Sequence, residues 1–262
     1  EPSLSLKKIK KLKDFQNKNQ KPDFQNAEPN KKEDFIFGLR PVIEAIEAGK
    51  TIDKIFVQKG LQGEIFSELR KLITEYEIPV SYVPLEKLNR FTGKNHQGVY
   101  AFVSPIEFDS IENVLPQIWE QGKTPFILIL DRVSDVRNFG AIARTAECVG
   151  VDAIIIPAKG SASVNADAIK TSTGALYNIP VCKEGNLVNV IKYLQSAGIS
   201  IFSASEKSAE FIYDADCSVP AAIVMGSEED GVSDSIIKIS DKIIKLPMAG
   251  QTASLNVSVA AG

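Results

Sequence analysis

Residues 125–144, PFILILDRVSDVRNFGAIAR, decide the fold of the C-terminal half of this sequence. The run PFILILD is almost entirely apolar, which is typical of a strand buried on both faces of a sheet. A polar loop follows, and residues 138–149 have the apolar spacing of a helix, with Asn138 suited to cap its first turn. Strand, loop and helix in this order indicate one unit of a parallel α/β sheet.

The same alternation continues downstream of this stretch. Apolar strands are predicted within residues 152–157, 179–182, 199–205, 221–227 and 241–247. Helices are predicted within residues 166–173 and 187–197, and from Ser233 onward. Because these strands are apolar almost throughout, we expect a parallel sheet that is covered on both faces.

Upstream, residues 35–106 have a smaller α/β pattern of their own. GLRPVIEAIEAGK (38–50) places its apolar residues on one helical face, and further strands and helices alternate up to Pro105. This alternation predicts a mainly parallel, sandwiched sheet here too. The predicted fold class is therefore α/β, with a small N-terminal domain over residues 35–106 and a larger parallel-sheet domain over residues 107–262.

Residues 1–34 differ in composition from both domains and are predicted to form a disordered basic arm. They carry nine lysines, although the whole chain has a formal net charge of −3. The arm is either a solvated tail or a tether for nucleic acid, whose phosphates are contacted mainly by Lys and Arg. Because the charges are so unevenly distributed, any contact with nucleic acid is expected to depend on local patches.

Several classes of protein are disfavoured by what the sequence lacks. No apolar run approaches the roughly 18 residues of a membrane-spanning helix, and no signal-peptide pattern opens the chain. The three cysteines are scattered, so we expect a cytoplasmic protein without disulfides. His96 is the only histidine, so a Ser-His-Asp triad or a histidine metal site would have to be built around it. Chemistry is therefore expected from Arg, Asn, Ser and Glu, or from a cofactor with its own reactive group.

Three loops follow predicted strands, at the edge where open parallel sheets bind ligands. They span Asp131–Arg144, Met225–Gly231 and Leu246–Gly262. The acidic run of Glu228 to Asp230 suits either a ligand site or the start of a helix. In the third loop Ser254, Asn256 and Ser258 alternate with apolar residues, which leaves both strand and helix open. No G-x-G-x-x-G or P-loop pattern supports a dinucleotide or nucleotide site.

Three motifs, taken together in their order and spacing, resemble those of the SpoU-type RNA 2′-O-ribose methyltransferases, a branch of the trefoil-knot methyltransferases. They are NFGAIAR (138–144), IVMGSEEDG (223–231) and LPMAGQTASLNVSVAAG (246–262). Through FGLRPVIEAI (37–46) and KNHQGVYAFV (94–103), the N-terminal domain resembles the substrate-binding domain of the subgroup that methylates a guanosine of 23S-type ribosomal RNA. The resemblance covers residues 35–262 and leaves the basic arm outside.

The resemblance implies an enzyme that takes a methyl group from S-adenosylmethionine, needs no metal, forms a homodimer and threads its last segment through a knot. The residues matching cofactor positions are Gly226, Leu246, Met248 and Leu255. Those matching substrate and catalytic positions are Asn138, Arg144, Glu228, Ser254 and Asn256. Ser254 would cap a helix or touch the substrate. Arg144 stays protonated, so it is expected to stabilise the developing alkoxide or hold the adjacent phosphate rather than act as a base.

The N-terminal domain is expected to contact RNA through polar residues that also suit an ordinary surface helix or a polar turn. These residues are Arg40, Lys94, Asn95 and His96. Two other functions stay open, namely a transfer-RNA methyltransferase of the same fold and a non-catalytic RNA-binding relative. The family continues past the third motif into a further helix, whereas this sequence begins at Glu1 and stops at Gly262, so we expect a truncated chain.

Overall fold

A computed structural model of the chain describes residues 35–93, 95–216, 218–251 and 254–262. The predicted basic arm, residues 1–34, lies outside these ranges, and so does Lys94, one of the predicted RNA contacts. Among the helices of the described ranges, none combines the length and apolarity that a membrane crossing requires.

The N-terminal sheet has four strands in the order β1-β4-β2-β3. In chain order its elements are β1 (Phe35–Phe37), α1 (Leu39–Glu47), β2 (Ile52–Gln58), α2 (Glu64–Glu75), β3 (Val80–Val83), α3 (Leu85–Phe91) and β4 (Val99–Val103). Strand β4 is antiparallel to both β1 and β2, and only β2 and β3 are parallel. The prediction of a mainly parallel sheet in this domain was therefore wrong.

The direction of β4 follows from the turn that precedes it. Helix α3 is followed directly by residues 92–98, which keep the chain at the edge of the sheet where β3 ends. A turn at His96–Gly98 then starts β4 at the edge where β3 ends, with the Val99 N–H donating to the His96 carbonyl at 2.9 Å. Alternation of strands and helices predicts parallel pairing only where each helix completes a crossover.

The C-terminal sheet has seven strands in the order β7-β6-β5-β10-β8-β11-β9, and every adjacent pair is parallel. The first half of its elements is α4 (Ile111–Glu120), β5 (Phe126–Leu130), α5 (Val136–Cys148), β6 (Ala153–Pro157), α6 (Ala166–Thr171), β7 (Val181–Glu184) and α7 (Leu187–Ser196). The second half is β8 (Ser200–Ala204), β9 (Glu210–Phe211), β10 (Ala221–Met225), α8 (Asp234–Ile237), β11 (Lys242–Lys245) and α9 (Val257–Ala260). The predicted α/β fold, with a parallel sheet and a smaller N-terminal sub-domain, is confirmed.

Alternate side chains of β5 enter two separate cores, one on each face of the large sheet. Leu128 and Leu130 pack in the core shared with α5, whereas Ile127 and Ile129 pack in the core shared with α4 and α7. This period of two is the geometry of a strand, and burial of both sets explains why the run FILIL has no polar residue.

Strand order places the ends of β5 and β10 side by side at the centre of the sheet. The Asp131 N–H donates to the Met225 carbonyl at 2.8 Å, so the two loops that follow these strands start together. After β5 the chain fills the sheet on one side through β6 and β7, and α7 then carries it to β8 on the other side. Such a switch point is where open parallel sheets bind ligands.

Candidate active site

Three polar side chains from the three predicted loops meet at the carboxyl ends of β5 and β10. The amide nitrogen of Asn138 donates to Glu228 Oε1 at 2.5 Å. The amide nitrogen of Asn256 donates to the same oxygen at 2.9 Å and to Asn138 Oδ1 at 3.2 Å. The fold thus brings together three of the five predicted catalytic residues, and we call them the polar triad.

Asn138 reaches the triad because another residue caps its helix. The carboxylate of Asp135 accepts from the backbone N–H groups of Arg137 and Asn138, both at 2.8 Å, so α5 begins at Val136. The prediction that Asn138 caps this helix was wrong, because Asp135 takes that position three residues earlier. Asn138 lies in the first helical turn instead, where its side chain is free to bind Glu228.

Asn256 has two roles in the structure, one for the oxygen and one for the nitrogen of its side-chain amide. Its Oδ1 accepts from the Ser258 N–H at 2.9 Å and from the Ser258 hydroxyl at 2.6 Å, which caps α9. Its Nδ2 makes the two bonds of the triad. The segment that could have been strand or helix is thus a short helix, with Val257 buried against α5 in the core. Because Asn256 is the cap, Ser254 does not have the first of its two predicted roles, and contact with the substrate stays a prediction.

Gly226 allows the loop after β10 to fold back on itself. A Cβ at this position would lie 1.9 Å from the Gly231 carbonyl carbon. Ser227 and Gly231 exchange two backbone hydrogen bonds, at 3.0 and 3.2 Å, which close the loop that presents Glu228. The requirement for glycine at 226 is therefore explained within the chain, and its predicted contact with the cofactor stays a prediction.

Arg132 joins the loops after β5 and β10, a role that sequence reasoning missed. Its guanidinium donates to Asp230 Oδ2 at 3.1 Å, to the Gly231 carbonyl at 3.2 Å and to Asp131 Oδ1 at 3.3 Å. The backbone of Arg132 has a φ of 63°, a left-handed conformation that costs a non-glycine residue about 1 kcal/mol or more. Buried Asp131 in turn accepts from the N–H and the hydroxyl of Ser233.

A cavity of about 320 Å³ opens beside the polar triad, and we call it the acidic cavity. Its charged lining consists of one guanidinium and four carboxyl groups, those of Arg132, Asp135, Glu228, Glu229 and Asp230. A lining of this charge attracts a cation and repels a phosphate. The acidic cavity therefore suits a positively charged small molecule better than an RNA backbone.

Arg144 and Ser254 are not part of the triad in this chain. Arg144 lies exposed on α5, and among the described residues it has no hydrogen-bond or ion-pair partner. Ser254 is exposed at the start of the last described segment. Both side chains are thus available to a ligand or to a second protein chain.

The predicted cofactor residues lie after β10 and β11, on loops at the same edge of the sheet, and β8 lies between these two strands. Leu246 is half-buried, whereas Met248 and Leu255 expose 41% and 43% of their surface. Large apolar side chains with this exposure offer contact surface to an apolar group of a ligand.

The three predicted RNA contacts of the N-terminal sub-domain that lie in the described ranges have partners within the chain. His96 is buried, its Nδ1 accepts from the Gly98 N–H at 3.0 Å, and its Nε2 donates to Asn89 Oδ1 at 2.9 Å. Asn95 Oδ1 accepts from the Gln97 N–H at 3.3 Å, and exposed Arg40 lies 3.5 Å from Glu68. These contacts favour the interpretation of residues 95–98 as a structural turn.

Metal chemistry and thiol chemistry receive no support from the described residues. Within them, no group of three or more His, Cys, Asp or Glu side chains is arranged to hold a metal ion. Burial, together with Glu184 and Asp109, raises the pKa of the Cys182 thiol to about 12. This thiol stays protonated at neutral pH and is a poor nucleophile.

Two family models match the chain and together cover most of the described residues. Residues 125–262 match the SpoU rRNA methylase family, and residues 35–109 match the RNA 2′-O ribose methyltransferase substrate-binding family. A Staphylococcus saprophyticus protein named for the TrmH family of tRNA/rRNA methyltransferases is 37% identical over 226 residues, 86% of this chain and 91% of that protein. Its Bacillus subtilis counterpart is 33% identical over 229 residues, 87% of this chain and 92% of that protein.

Solved structures show the same fold at lower sequence identity. The SpoU methyltransferase AviRb from Streptomyces viridochromogenes, crystallised with AdoMet, has a TM-score of 0.53 at 22% identity, covering 87% of this chain and 85% of its own. An AdoMet-bound rRNA methyltransferase from Sinorhizobium meliloti has a TM-score of 0.55 at 22% identity, covering 87% and 83%. Fold, site and sequence agree: the chain belongs to the SpoU/TrmH family and is an S-adenosylmethionine-dependent RNA methyltransferase.

Proposed function

We propose that this RNA methyltransferase methylates the ribose 2′-hydroxyl of a guanosine in 23S-type ribosomal RNA. The observation that carries the proposal is the polar triad, which three separate motifs of the chain build beside the acidic cavity. The match of residues 35–109 to a 2′-O ribose substrate-binding family supports ribose as the acceptor. Similarity of this domain to the 23S-type subgroup supports ribosomal RNA.

The charge of the acidic cavity fits the cofactor. When bound, S-adenosylmethionine supplies a methyl group on a positively charged sulfur. Four carboxyl groups against one guanidinium give this cavity the sign that such a cation requires. The four predicted cofactor residues, Gly226, Leu246, Met248 and Leu255, lie outside the lining of this cavity, and Gly226 directly precedes its lining residue Ser227. They would hold the uncharged parts of the cofactor beside the cavity, with Met248 and Leu255 offering exposed apolar surface.

The polar triad would position groups rather than transfer protons itself. Glu228 holds the amides of Asn138 and Asn256 in fixed orientations, and an oriented amide can align the ribose or the substrate-binding arginine. Ser254, exposed and not needed as a cap, would contact the substrate. The proton of the 2′-hydroxyl would be transferred to a neighbouring phosphate or to water.

Arg144 would act as an electrostatic group beside the 2′-hydroxyl. A guanidinium stays protonated in proteins, so it stabilises developing alkoxide charge or holds the adjacent phosphate. Its exposure and its lack of an ion pair with the described residues leave it available for this contact. Arg144→Lys is expected to lose methyl transfer while binding S-adenosylmethionine as before in calorimetry. Full activity in this variant would show that methyl transfer does not require the guanidinium of Arg144.

The organisation of the protein is part of the same proposal. Residues 35–106 would bind the RNA, and residues 107–262 would form a knotted methyltransferase domain that dimerises in the cytoplasm. Exposed valines on α9 and at the end of α5 support a contact surface there, since Val149 and Val259 expose 61% and 62% of their area. A sedimentation experiment on the purified chain is expected to give a dimer.

The choice between ribosomal and transfer RNA is tested by methylation with labelled cofactor. Ribosomal RNA and bulk transfer RNA from cells that lack this enzyme are offered separately, since such RNA carries unmethylated target sites. We expect label in the large ribosomal RNA. Label in transfer RNA alone would show that transfer RNA, and not ribosomal RNA, is the substrate. Binding of the cofactor without any methyl transfer would indicate a non-catalytic relative.

A further inference from the structure

The acidic cavity raises the question of where the RNA backbone binds. Its lining repels phosphate, and the chain as a whole carries a net charge of −3. Most of the affinity for RNA comes from lysines and arginines that contact phosphates. Cationic groups outside the acidic cavity must therefore hold the RNA that the enzyme methylates.

A second cavity, of about 200 Å³, has the opposite charge. It lies between the N-terminal sheet and the loop after β6, and its charged lining consists of three ammonium groups and one carboxylate. The lining residues that carry the argument are Asp53, Lys54, Lys159, Gly160 and Lys183. We call this cavity the basic cleft.

Asp53 and Lys183 neutralise each other within the basic cleft. Lys183 Nζ lies 2.5 Å from Asp53 Oδ1 and donates to the Asp53 carbonyl at 2.9 Å. Both side chains are nearly inaccessible, with 9% and 6% of their surfaces exposed. The pair therefore stabilises the structure and adds no net charge to the basic cleft. The net positive charge of the cleft comes from the other two lysines.

Lys54 and Lys159 supply the unpaired positive charge of the basic cleft. Among the described residues neither ammonium group has a carboxylate within ion-pair distance. Lys54 is half-buried with its ammonium 5.1 Å from the centre of the Phe56 ring, and Lys159 is exposed. Hydroxyl groups of Ser81, Ser161 and Ser163 complete the polar lining. Two free ammonium groups beside hydroxyls form a surface that accepts phosphate oxygens.

Gly160 connects the basic cleft to the acidic cavity. This residue lines both cavities, so only the short loop after β6 separates them. Its φ of 86° and the absence of a side chain keep that loop thin. A single strand can therefore bring the ribose of one nucleotide to the edge of the acidic cavity while the phosphates of its neighbours lie in the basic cleft.

We propose that the basic cleft binds the sugar–phosphate backbone of the RNA segment next to the methylated nucleotide. Lys54 and Lys159 contact phosphates there, and the two sub-domains bind one continuous strand. This inference rests on the proposed function, because it takes the acidic cavity as the place of methyl transfer.

The test compares two double variants with equal loss of charge. Lys54→Ala with Lys159→Ala removes the free ammonium groups of the basic cleft, and Lys71→Ala with Lys192→Ala removes two exposed lysines that line neither cavity. Binding of a fluorescein-labelled RNA hairpin is measured over a series of salt concentrations. Methyl transfer to ribosomal RNA and binding of S-adenosylmethionine are measured on the same proteins.

The cleft variant is expected to bind the hairpin at least about fivefold more weakly, with a salt-dependence slope reduced by about 2. Its KM for ribosomal RNA rises by a similar factor, while kcat and cofactor binding stay within about twofold of wild type, since phosphate contacts add uniform binding. The control variant should show a smaller loss of affinity and unchanged KM.

Equal losses in the two variants, or an unchanged slope in the cleft variant, would overturn the inference. If the wild-type protein methylates no RNA, the proposed function fails, and the hairpin experiment still decides whether the cleft binds RNA. Exposed Lys159 can be replaced without a folding defect, so Lys159→Ala alone gives the same test, with a slope change of about 1, if the double variant is unstable.

Discussion

At the scale of single residues, Glu228 is the acceptor on which two amide side chains converge. One carboxylate oxygen takes hydrogen bonds from Asn138 and Asn256. Bonds to an ionised acceptor are roughly twice as strong as bonds between neutral groups, so the charge of Glu228 holds both amides in place. The carboxylate also adds to the charge that suits a cationic cofactor.

Glu228→Gln is expected to slow methyl transfer by about 10- to 100-fold, because the amides lose their fixed orientation. The matched control is Glu229→Gln, which removes the same charge from the same cavity at a residue that makes no side-chain hydrogen bond within the described ranges. This control should stay within about threefold of wild type. Single-turnover rates with labelled cofactor measure both variants. Equal losses of rate in the two variants would show that methyl transfer depends on the negative charge of the cavity and not on the hydrogen bonds of Glu228.

Individual site residues differ in how far the sequence predicts them. Asn138, Glu228 and Asn256 could be named because each belongs to a motif, and the fold brings them into contact. Arg132 could not, because its role depends on a left-handed backbone and on Asp230, which lies 98 residues away in the chain. His96 was predicted either to contact RNA or to belong to a polar turn, and the bonds of its ring with Asn89 and Gly98 favour the turn.

At the scale of elements, the loop after β10 presents Glu228 only if Gly226 has no side chain. Gly226→Ala places a methyl group against the backbone of Gly231, so the loop must open. We expect a loss of about 2 kcal/mol or more in the free energy of unfolding, together with weaker cofactor binding.

Gly250→Ala is the control for this substitution. It lies in the loop after β11, where no atom of the described residues lies within 4 Å of an added Cβ. Its free energy of unfolding should change by no more than about 0.5 kcal/mol. Chemical denaturation followed by circular dichroism measures both variants, and a Gly226→Ala protein as stable as the control would contradict the account of this loop.

The helices and the longer strands were predictable from apolar spacing, and the shortest strands were not. Strand β1 has three residues and β9 has two, which is too short for any period to emerge. The direction of β4 depends on the edge of the sheet at which the preceding turn starts it, rather than on its own residues. Helix α9 has four residues, and its cap rather than its apolar pattern defines it.

At the scale of the whole molecule, the buried pair of Asp53 and Lys183 connects the two sheets. Lys183→Met leaves the Asp53 carboxylate buried without a partner, which is expected to cost about 3 to 5 kcal/mol of stability. Adding Asp53→Asn removes that charge and should recover part of the loss.

Lys242→Met is the control, because its pair with Glu210 is well exposed, at 40% and 36%, and should contribute less than about 1 kcal/mol. Thermal unfolding compares the three proteins. Equal melting temperatures for Lys183→Met and Lys242→Met would show that the buried pair does not hold the two sheets together.

Charge is separated within the molecule in a way that composition does not reveal. The net charge of −3 conceals an acidic cavity and a basic cleft on either side of one loop. The sequence predicted that local patches would do the binding. It could not place them, because Lys54 and Lys159 belong to different sub-domains and meet only in the folded chain.

We propose that the polar triad serves methyl transfer to a ribose hydroxyl. The most direct measurement digests RNA to nucleosides after reaction with methyl-labelled S-adenosylmethionine and identifies the labelled nucleoside. The wild-type protein is expected to place label in 2′-O-methylguanosine, and Glu228→Gln is expected to give little label. Label on a nucleobase, or equal label with both proteins, would contradict this proposal.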